Sequence, residues 1–313
     1  MTIKDKIKSK ANEIGFANIG FAKFELLDSE IKYYKEWLNK KYNASMDYLE
    51  RTTDKRHNIS LLLEGAKTII VTATNYYQSR NYSNSIENVK IARYALGNDY
   101  HFVIKNMQNE LINFIKGFYP NANFKNYVDT GSILERQWAV RAGLGWQGKN
   151  GLVISRNIGS WFFIGIIITD IEFESDNQIP NYCGTCRKCI DACPTNAIVN
   201  PSVIDANKCI SYWTIAAKHN LDIPETINTH NPNWLFGCDI CQEVCPWNKK
   251  LQQNTRIKEF LVKNYENEIS LLHLIDITNE EFNKIFKNSA IKSIKSEGLK
   301  RNLQALKKKN LNY

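Results

Sequence analysis

The sequence predicts a protein of the α/β or α+β class in three parts: an N-terminal α/β domain over residues 1–175, a cysteine-rich domain over residues 176–250 and a short basic helical segment over residues 251–313. Helix-like and strand-like segments alternate through the first half. All eight cysteines fall between Cys183 and Cys245, and lysine-rich helical stretches follow them. A length of 313 residues suits two or three such domains.

The periodicity of apolar residues places the elements of the first part. We expect helices at 3–14, 30–38, 100–118 and 133–142, and strands at 17–21, 68–74, 124–128, 152–155 and 162–169. The last two strands are close enough in sequence to pair as a hairpin. The polar stretch at 172–180 ends the pattern and predicts a boundary. Short helices at 270–275, 279–286 and 298–309 should follow the cysteines.

The composition is that of a globular protein without a membrane span. Four lysines between Lys4 and Lys10 interrupt the apolar stretch that a secretory signal needs, so we expect a cytoplasmic protein. The most apolar run, at 161–169, is far shorter than the roughly 20 residues that cross a bilayer.

The net charge of +9 suits a polyanionic partner, although a coding bias toward Lys, Asn and Ile would produce the same charge.

The cysteines form two cluster-binding runs. The first has C-x2-C-x2-C-x3-C-P spacing and ends at Pro194; the second is split and ends at Pro246. In bacterial ferredoxins with this spacing, the fourth cysteine of a run ligates the other [4Fe–4S] cluster. This interleaving assigns one cluster to Cys183, Cys186, Cys189 and Cys245, and the other to Cys193, Cys209, Cys238 and Cys241.

Two all-cysteine zinc sites are the alternative. Such sites normally use two C-x2-C knuckles separated by a longer loop, which three cysteines in C-x2-C-x2-C spacing do not match. A ferredoxin-like domain with two [4Fe–4S] clusters is therefore the stronger hypothesis. Residues 210–237 are inserted within the second run, and a helix at their start would bring Ser211, Tyr212 and Trp213 close to the second cluster.

Several stretches together resemble the epoxyqueuosine reductases, which are iron–sulfur and cobalamin enzymes that complete queuosine in tRNA. These stretches are RYALGNDYH (93–101), VDTGSILER (128–136), RAGLGWQGKNGLVI (141–154), CGTCRKCIDACPTNAI (183–198), CISYWTI (209–215) and GCDICQEVCPWN (237–248). The resemblance covers nearly the whole chain. Many members of that family continue into a helical-repeat extension, so this sequence looks like a short form.

The resemblance implies a specific reaction. The family reduces epoxyqueuosine to queuosine at the wobble position of tRNA, using cobalamin and two [4Fe–4S] clusters. It further implies three things about partners: the anticodon arm of tRNA as substrate, a low-potential electron donor such as flavodoxin or ferredoxin, and a monomeric enzyme. Lys300 and Arg301 in the basic segment are our candidates for phosphate contacts.

Asp129 is the candidate catalytic acid, because VDTGSILER matches the family motif whose aspartate is the proposed proton donor. Shielding from water beside the corrin should raise the pKa of its carboxyl, so that it protonates the departing oxygen. An aspartate before Thr-Gly also serves as a helix cap or turn residue, and that structural role is the alternative.

The candidate cobalamin contacts are Arg56, Arg141, Gly148, Lys149, Asn150 and Ser211. The glycine-rich loop that contains three of them could let backbone amides approach a bulky ligand. Asp99-Tyr100-His101 begins like the D-x-H-x-x-G cobalamin motif, but Ile104 replaces its glycine. We therefore expect a base-off cobalamin without an imidazole ligand from the protein.

Two other functions compete with this one. A reductive dehalogenase-like enzyme also combines cobalamin with two clusters, but it acts on small organohalides and uses a tyrosine with a basic residue as proton donors. A ferredoxin-type electron-transfer protein would need no corrinoid at all. The absence of an evident export signal and the presence of Asp129 favour the tRNA enzyme.

Overall fold

The computed structural model describes residues 1–82, 85, 87–262 and 269–310. The helices are α1 (Ile3–Ile14), α2 (Asp28–Asn39), α3 (Tyr48–Arg51), α4 (Thr53–His57), α5 (Tyr100–Lys116), α6 (Glu135–Arg141), α7 (Lys188–Asp191), α8 (Glu225–His230), α9 (Ile240–Glu243), α10 (Pro246–Lys250), α11 (Leu271–Ile275), α12 (Asn279–Ile285) and α13 (Lys295–Asn310). Short 3₁₀ helices lie at Ile59–Leu61, Arg93–Ala95, Ala206–Lys208, Lys258–Phe260 and Ala290–Ile294, and a π-helix lies at Tyr212–Ala216.

The strands are β1 (Asn18–Lys23), β2 (Thr68–Asn75), β3 (Asn88–Ile91), β4 (Phe124–Tyr127), β5 (Trp146–Gln147), β6 (Val153–Ile154), β7 (Phe162–Thr169), β8 (Ile198–Asn200), β9 (Val203–Ile204), β10 (Trp234–Phe236) and β11 (Ile269–Ser270). Residues 263–268 and 311–313 of the predicted basic segment lie outside the described residues.

The central sheet has the strand order β1-β2-β7-β4, and each neighbouring pair is antiparallel. Alternate residues of β2 supply two apolar cores: Ile70 faces the core that contains α1 and α5, whereas Ile69 and Val71 face the core that contains Trp138 of α6. Helices therefore cover both faces of the sheet. Because the strands are antiparallel, the fold is α+β, which is one of the two classes that the sequence predicts.

The predicted hairpin between the last two strands of the first half is wrong. β6 pairs with β5, with Trp146 opposite Ile154, while β7 pairs with β2 and β4. A tight turn makes the local pairing possible: Gly148 donates its N–H to the Leu152 carbonyl (2.7 Å), and Gly151 adopts φ +79°. The sequence predicts where both strands lie along the chain. The alternation of apolar and polar residues does not show which strands pair with each other.

The segment after residue 250 packs into the main core. β11 pairs with β3, and Phe260, Phe286 and Leu303 share one apolar cluster with Ile104. In the described ranges, no helix combines the length and the apolar character that crossing a membrane requires.

Arg301 is not the phosphate-binding residue that we expected. It is 9% exposed, and its guanidinium donates to the backbone carbonyls of Lys218 (2.9 Å), Ala217 (3.3 Å) and Leu221 (3.3 Å). A count of lysines and arginines along a helix does not reveal which of them faces inward. Arg301 anchors α13 to the turn that follows the π-helix.

We expect Arg301→Ala to lower the free energy of unfolding by about 2–4 kcal/mol, because buried carbonyl groups lose a charged donor. Urea unfolding followed by far-UV circular dichroism measures the change. Lys307→Ala is the matched control, since Lys307 is exposed on the same helix and should change stability by less than about 0.5 kcal/mol. Equal effects of the two substitutions would contradict the anchoring role.

Candidate cluster and proton-transfer sites

The structure brings the first predicted cysteine quartet together. Burial raises the pKa of the Cys189 thiol, and nearby Cys245 and Cys183 raise it further. Burial likewise raises the pKa of Cys245, and Cys183 and Cys186 add to that effect. Cys245 is distant in sequence from the other three but lies near them, as the predicted interleaving requires, and the assignment of these four to one cluster stays a prediction.

The second quartet is also assembled. Burial raises the pKa of the Cys241 thiol, and Cys209 and Cys193 raise it further. The pKa of Cys238 is raised by burial, then by Cys241 and, more weakly, by Cys209. None of the eight cysteines, all of which are described, forms a disulfide.

The two quartets suit the chemistry of iron–sulfur clusters. Soft thiolates are their usual ligands, and a bound cluster stabilises the deprotonated form that burial alone disfavours. In the part of the chain that the structure describes, no three His, Cys, Asp or Glu side chains converge to ligate a single metal ion. A cubane instead takes each thiolate on a different iron.

Backbone amides point at several of the thiols. Ala197 donates its N–H to Cys193 Sγ (3.3 Å), and the N–H groups of Ser211 and Tyr212 donate to Cys209. As predicted, a helix follows Cys209; it continues as the π-helix at Tyr212–Ala216. Ser211 thus contributes to the surroundings of the second quartet through its backbone.

The glycine-rich loop at 143–151 contacts both quartets. Lys149 Nζ donates to the carbonyls of Gly184 (2.6 Å) and Cys186 (2.8 Å) in the first cysteine loop. Asn150, which is buried, donates from Nδ2 to the Cys241 carbonyl (3.4 Å). A Cβ atom at Gly148 would lie 2.5 Å from Ile154 Cδ1, so the Ile154 side chain would have to shift to admit a larger residue there. Cobalamin contacts by these residues stay a prediction.

Arg56 and Arg141 have different surroundings. Arg141 forms ion pairs with Glu25 (2.6 Å) and with Glu30 of α2 (2.9 Å). These ion pairs hold the Arg141 guanidinium beside α2. Arg56 is buried and donates from Nη1 to the Ile133 carbonyl (3.1 Å). Its Nε is buried and has no hydrogen-bond acceptor among the described residues.

The unsatisfied donor of Arg56 lies near the candidate acid. Tyr48 is 52% exposed, and the pKa of its hydroxyl is raised by partial burial and by Asp129, whereas Arg56 lowers it. Tyr48 is therefore within electrostatic reach of both Asp129 and Arg56. A buried N–H without an acceptor beside an exposed aromatic ring fits a site for a large polar ligand such as cobalamin.

Asp129 occupies the turn between β4 and α6 in a strained conformation. Its φ of +57° lies in the left-handed region, which Asp and Asn tolerate better than most other residues. The turn is fixed by the Asp129 N–H, which donates to Glu135 Oε1 (2.7 Å). The carboxylate accepts a hydrogen bond from the Tyr100 hydroxyl (2.7 Å), and its side chain is 66% exposed.

The expected rise in the pKa of Asp129 is wrong for this structure. The neighbouring His101 lowers that pKa most, the Tyr100 hydroxyl adds to the effect, and together they outweigh burial. His101 Nε2 lies 3.8 Å from Asp129 Oδ2, longer than an ordinary hydrogen bond, so the effect is mainly one of charge. The side chain is open to solvent, which weakens the desolvation on which the expectation rested.

His101 and Glu135 hold protons on either side of Asp129. Burial lowers the pKa of His101, but contacts with Asp129 and Asp99 outweigh it and raise the pKa to about 9. Its Nδ1 lies 2.7 Å from Asp99 Oδ1. Burial and the Asp129 charge raise the pKa of Glu135 to about 8. At neutral pH, both neighbours of the Asp129 carboxylate are therefore protonated.

Sequence reasoning missed the roles of Tyr100, His101 and Glu135. The signals were present, since His101 belongs to the Asp99-Tyr100-His101 motif and Glu135 lies within VDTGSILER. We weighed His101 only as a cobalt ligand, whereas the structure places two carboxylates next to it. The separation of about 30 residues between α5 and Asp129 hides this proximity from local patterns.

Comparisons with known proteins agree with the geometry. A family model described as "4Fe-4S double cluster binding domain" matches residues 182–248, which contain all eight cysteines. A second, described as "Epoxyqueuosine reductase QueG, DUF1730", matches residues 56–130. The epoxyqueuosine reductase of Cyclobacterium marinum is 42% identical over 96% of this chain and 96% of its own length.

Two solved structures are also similar. An epoxyqueuosine reductase with an epoxyqueuosine-modified tRNA-Tyr stem loop has a TM-score of 0.90 at 30% identity, covering 98% of this chain and 81% of that one. The Bacillus subtilis enzyme has a TM-score of 0.88 at 30% identity, with the same coverage of 98% and 81%. In that structure a catalytic aspartate loop is swung out of the active site.

We expect the anaerobically reconstituted protein to contain about eight iron atoms with matching sulfide, and Cys209→Ala to retain about four. Cys209 belongs to the second quartet alone, so the first cluster should assemble normally. Iron and sulfide analysis with electron paramagnetic resonance of the reduced protein measures both. Loss of both clusters from the variant, or stoichiometric zinc in the wild type, would contradict the assignment.

Proposed function

Because the chain belongs to the epoxyqueuosine reductase family, we propose that it reduces epoxyqueuosine to queuosine at the wobble position of tRNA. One observation carries this proposal. The glycine-rich loop at 143–151 connects the two cysteine quartets to the site around Asp129, where side chains hold protons. Arg136 links them: its charge lowers the pKa of Asp129, and its Nη1 donates to the Gly151 carbonyl (3.2 Å). An electron carrier alone has no use for the Asp129 site.

The reaction removes the epoxide oxygen as water and consumes two electrons and two protons. When bound, the [4Fe–4S] clusters supply electrons singly and cobalamin supplies a strongly reducing cobalt nucleophile. The eight cysteines hold the clusters. For cobalamin we propose contacts from Arg56, whose Nε lacks an acceptor among the described residues, and from the exposed ring of Tyr48. Arg141, Gly148, Lys149, Asn150 and Ser211 stay candidates.

The residues around Asp129 supply the protons. At neutral pH, one proton resides on His101 and another on Glu135, which matches the two that the reaction consumes. Substrate that covers the exposed Asp129 carboxylate removes its solvation and raises its pKa. The carboxylate then takes a proton from a neighbour and passes it to the departing oxygen. The Tyr100 hydroxyl orients the carboxylate.

The partners follow from the same reaction. A relative has been solved with an epoxyqueuosine-modified stem loop, so we propose the anticodon arm as the bound part of the tRNA. The base has to leave its stack to reach the site. We further propose a flavodoxin or ferredoxin as electron donor, a monomeric enzyme in the cytoplasm, and domain limits at residues 175 and 250.

The decisive test incubates reconstituted protein with cobalamin, reductant and epoxyqueuosine-containing tRNA and then analyses the digested nucleosides.

We expect Asp129→Asn to slow epoxide reduction by about 10²–10⁴-fold, because asparagine cannot release a proton. Asparagine tolerates the positive φ and still accepts the Tyr100 hydrogen bond, so the turn should keep its shape. Single-turnover assays at equal iron and corrinoid loading measure the loss. Near-normal turnover would remove Asp129 from the mechanism and leave it a turn residue.

The pH dependence tests Glu135 separately. The wild-type single-turnover rate should fall as pH rises through about 8, because Glu135 then loses the proton that it supplies. Glu135→Gln still accepts the Asp129 N–H but has no proton to give, so it should be slower and lack this fall. A purely structural role would leave the pH profile of the variant unchanged from that of the wild type.

A further inference from the structure

The two cysteine quartets differ in their access to solvent. The first lies under the loop at 181–188, where Tyr182, Gly184, Thr185, Arg187 and Lys188 are exposed. A Cβ atom at Gly184 would meet nothing within 4 Å, so the tip of this loop faces open space. The second quartet instead lies among buried side chains, including Asp239 (2% exposed) and Ile210 (2% exposed).

The second quartet is also linked to the proton-holding site. Tyr94 and Cys238 pack against one apolar cluster, and the Tyr94 ring centroid lies 6.0 Å from that of Tyr100, whose hydroxyl donates to Asp129. Helix α7, which contains Cys189 of the first quartet, packs against α9, which contains Cys241 of the second, so the quartets are neighbours. The first quartet is thus the one under an exposed loop, and the second quartet connects it to the Asp129 site. Electrons therefore enter at the surface that covers the first quartet.

Aromatic rings connect that surface to the first quartet. Tyr182 is 42% exposed, and its ring centroid lies 5.3 Å from that of Trp146 and 6.1 Å from that of Trp247. Cys183 and Cys245 pack in the same apolar cluster as the two tryptophans. Exposed apolar surface next to a cluster suits a protein contact that excludes water.

The rim of this surface is positively charged. The exposed cations are Arg156, Arg187, Lys188, Lys249 and Lys250. Arg156 lies 5.1 Å from the centroid of the Tyr182 ring, and Lys249 and Lys250 end α10, directly after Trp247. Asp191, which lies 3.5 Å from Arg187, is an opposing charge here. An aromatic centre within a basic rim is complementary to a small acidic protein.

We propose that this surface, formed by Tyr182, Trp247 and the five cations around them, is the docking site of an acidic one-electron carrier protein. The inference rests on the proposed function and adds the place where its electrons enter. In each encounter the carrier loses one electron and the enzyme gains it, so two encounters supply the two electrons of one turnover. The protons come from the separate Asp129 site.

The test uses the reconstituted holoenzyme with flavodoxin as the carrier. Lys249→Glu/Lys250→Glu reverses two rim charges without changing a cysteine ligand. Lys6→Glu/Lys116→Glu is the matched control, because these exposed lysines lie on α1 and α5 and the net charge changes equally. Calorimetry at two salt concentrations measures the affinity for oxidised flavodoxin, and iron analysis confirms equal cluster loading.

We expect the rim variant to bind flavodoxin about tenfold more weakly and with less salt dependence, while the control matches the wild type. Turnover driven by flavodoxin should fall in parallel, and turnover driven by dithionite should not, since dithionite needs no docking site. Unchanged flavodoxin affinity, or an equal loss with both reductants, would overturn the proposal. Weaker binding of tRNA instead would assign the surface to RNA. Absence of queuosine with dithionite in the wild type would refute the proposed function itself.

Discussion

The ammonium group of Lys149 bonds the first half of the chain to the cysteine domain, and both candidate sites depend on that contact. Its acceptors, the carbonyls of Gly184 and Cys186, belong to the loop at 181–188, which is outside any helix or sheet as far as residue 187. Asn150 does the same for the Cys241 carbonyl. Lys149 and Asn150 belong to the glycine-rich loop at 143–151, and Arg136 joins that loop to the Asp129 turn. This one short segment therefore fixes the cysteine quartets and the proton-holding side chains relative to each other.

Local patterns in the sequence predicted much of this molecule. The helix expected at 3–14 is α1 to the residue, and those expected at 30–38 and 100–118 lie within about two residues of α2 and α5 at each end, since apolar periodicity reports which face is buried. The cysteine spacing predicted the two quartets because one short loop holds three thiols of the first. Asp129 was proposed as the acid because of its motif, and that role stays a prediction.

Long-range contacts were not predictable in the same way. The partner of β6, the buried environment of Arg301 and the proximity of His101 to Asp129 all depend on segments that meet only after folding. The direction of the pKa shift of Asp129 was wrong for that reason: burial can be anticipated from a motif, whereas a cation from another helix cannot. His101 lies in the first turn of α5, where the helix dipole disfavours a cation, so its two carboxylate neighbours have to outweigh both dipole and burial.

The buried side chains around the second quartet have an electrostatic consequence. A cluster gains negative charge on reduction, and a buried, poorly solvated place makes that charge more costly. The second quartet lies in such a place, yet backbone N–H groups point at Cys193 from Ala197, at Cys209 from Ser211 and Tyr212, and at Cys238 from Ile240. These dipoles stabilise added charge on the sulfurs and offset the loss of water. The insertion at 210–237 therefore does more than fill space: its first residues supply two of these donors.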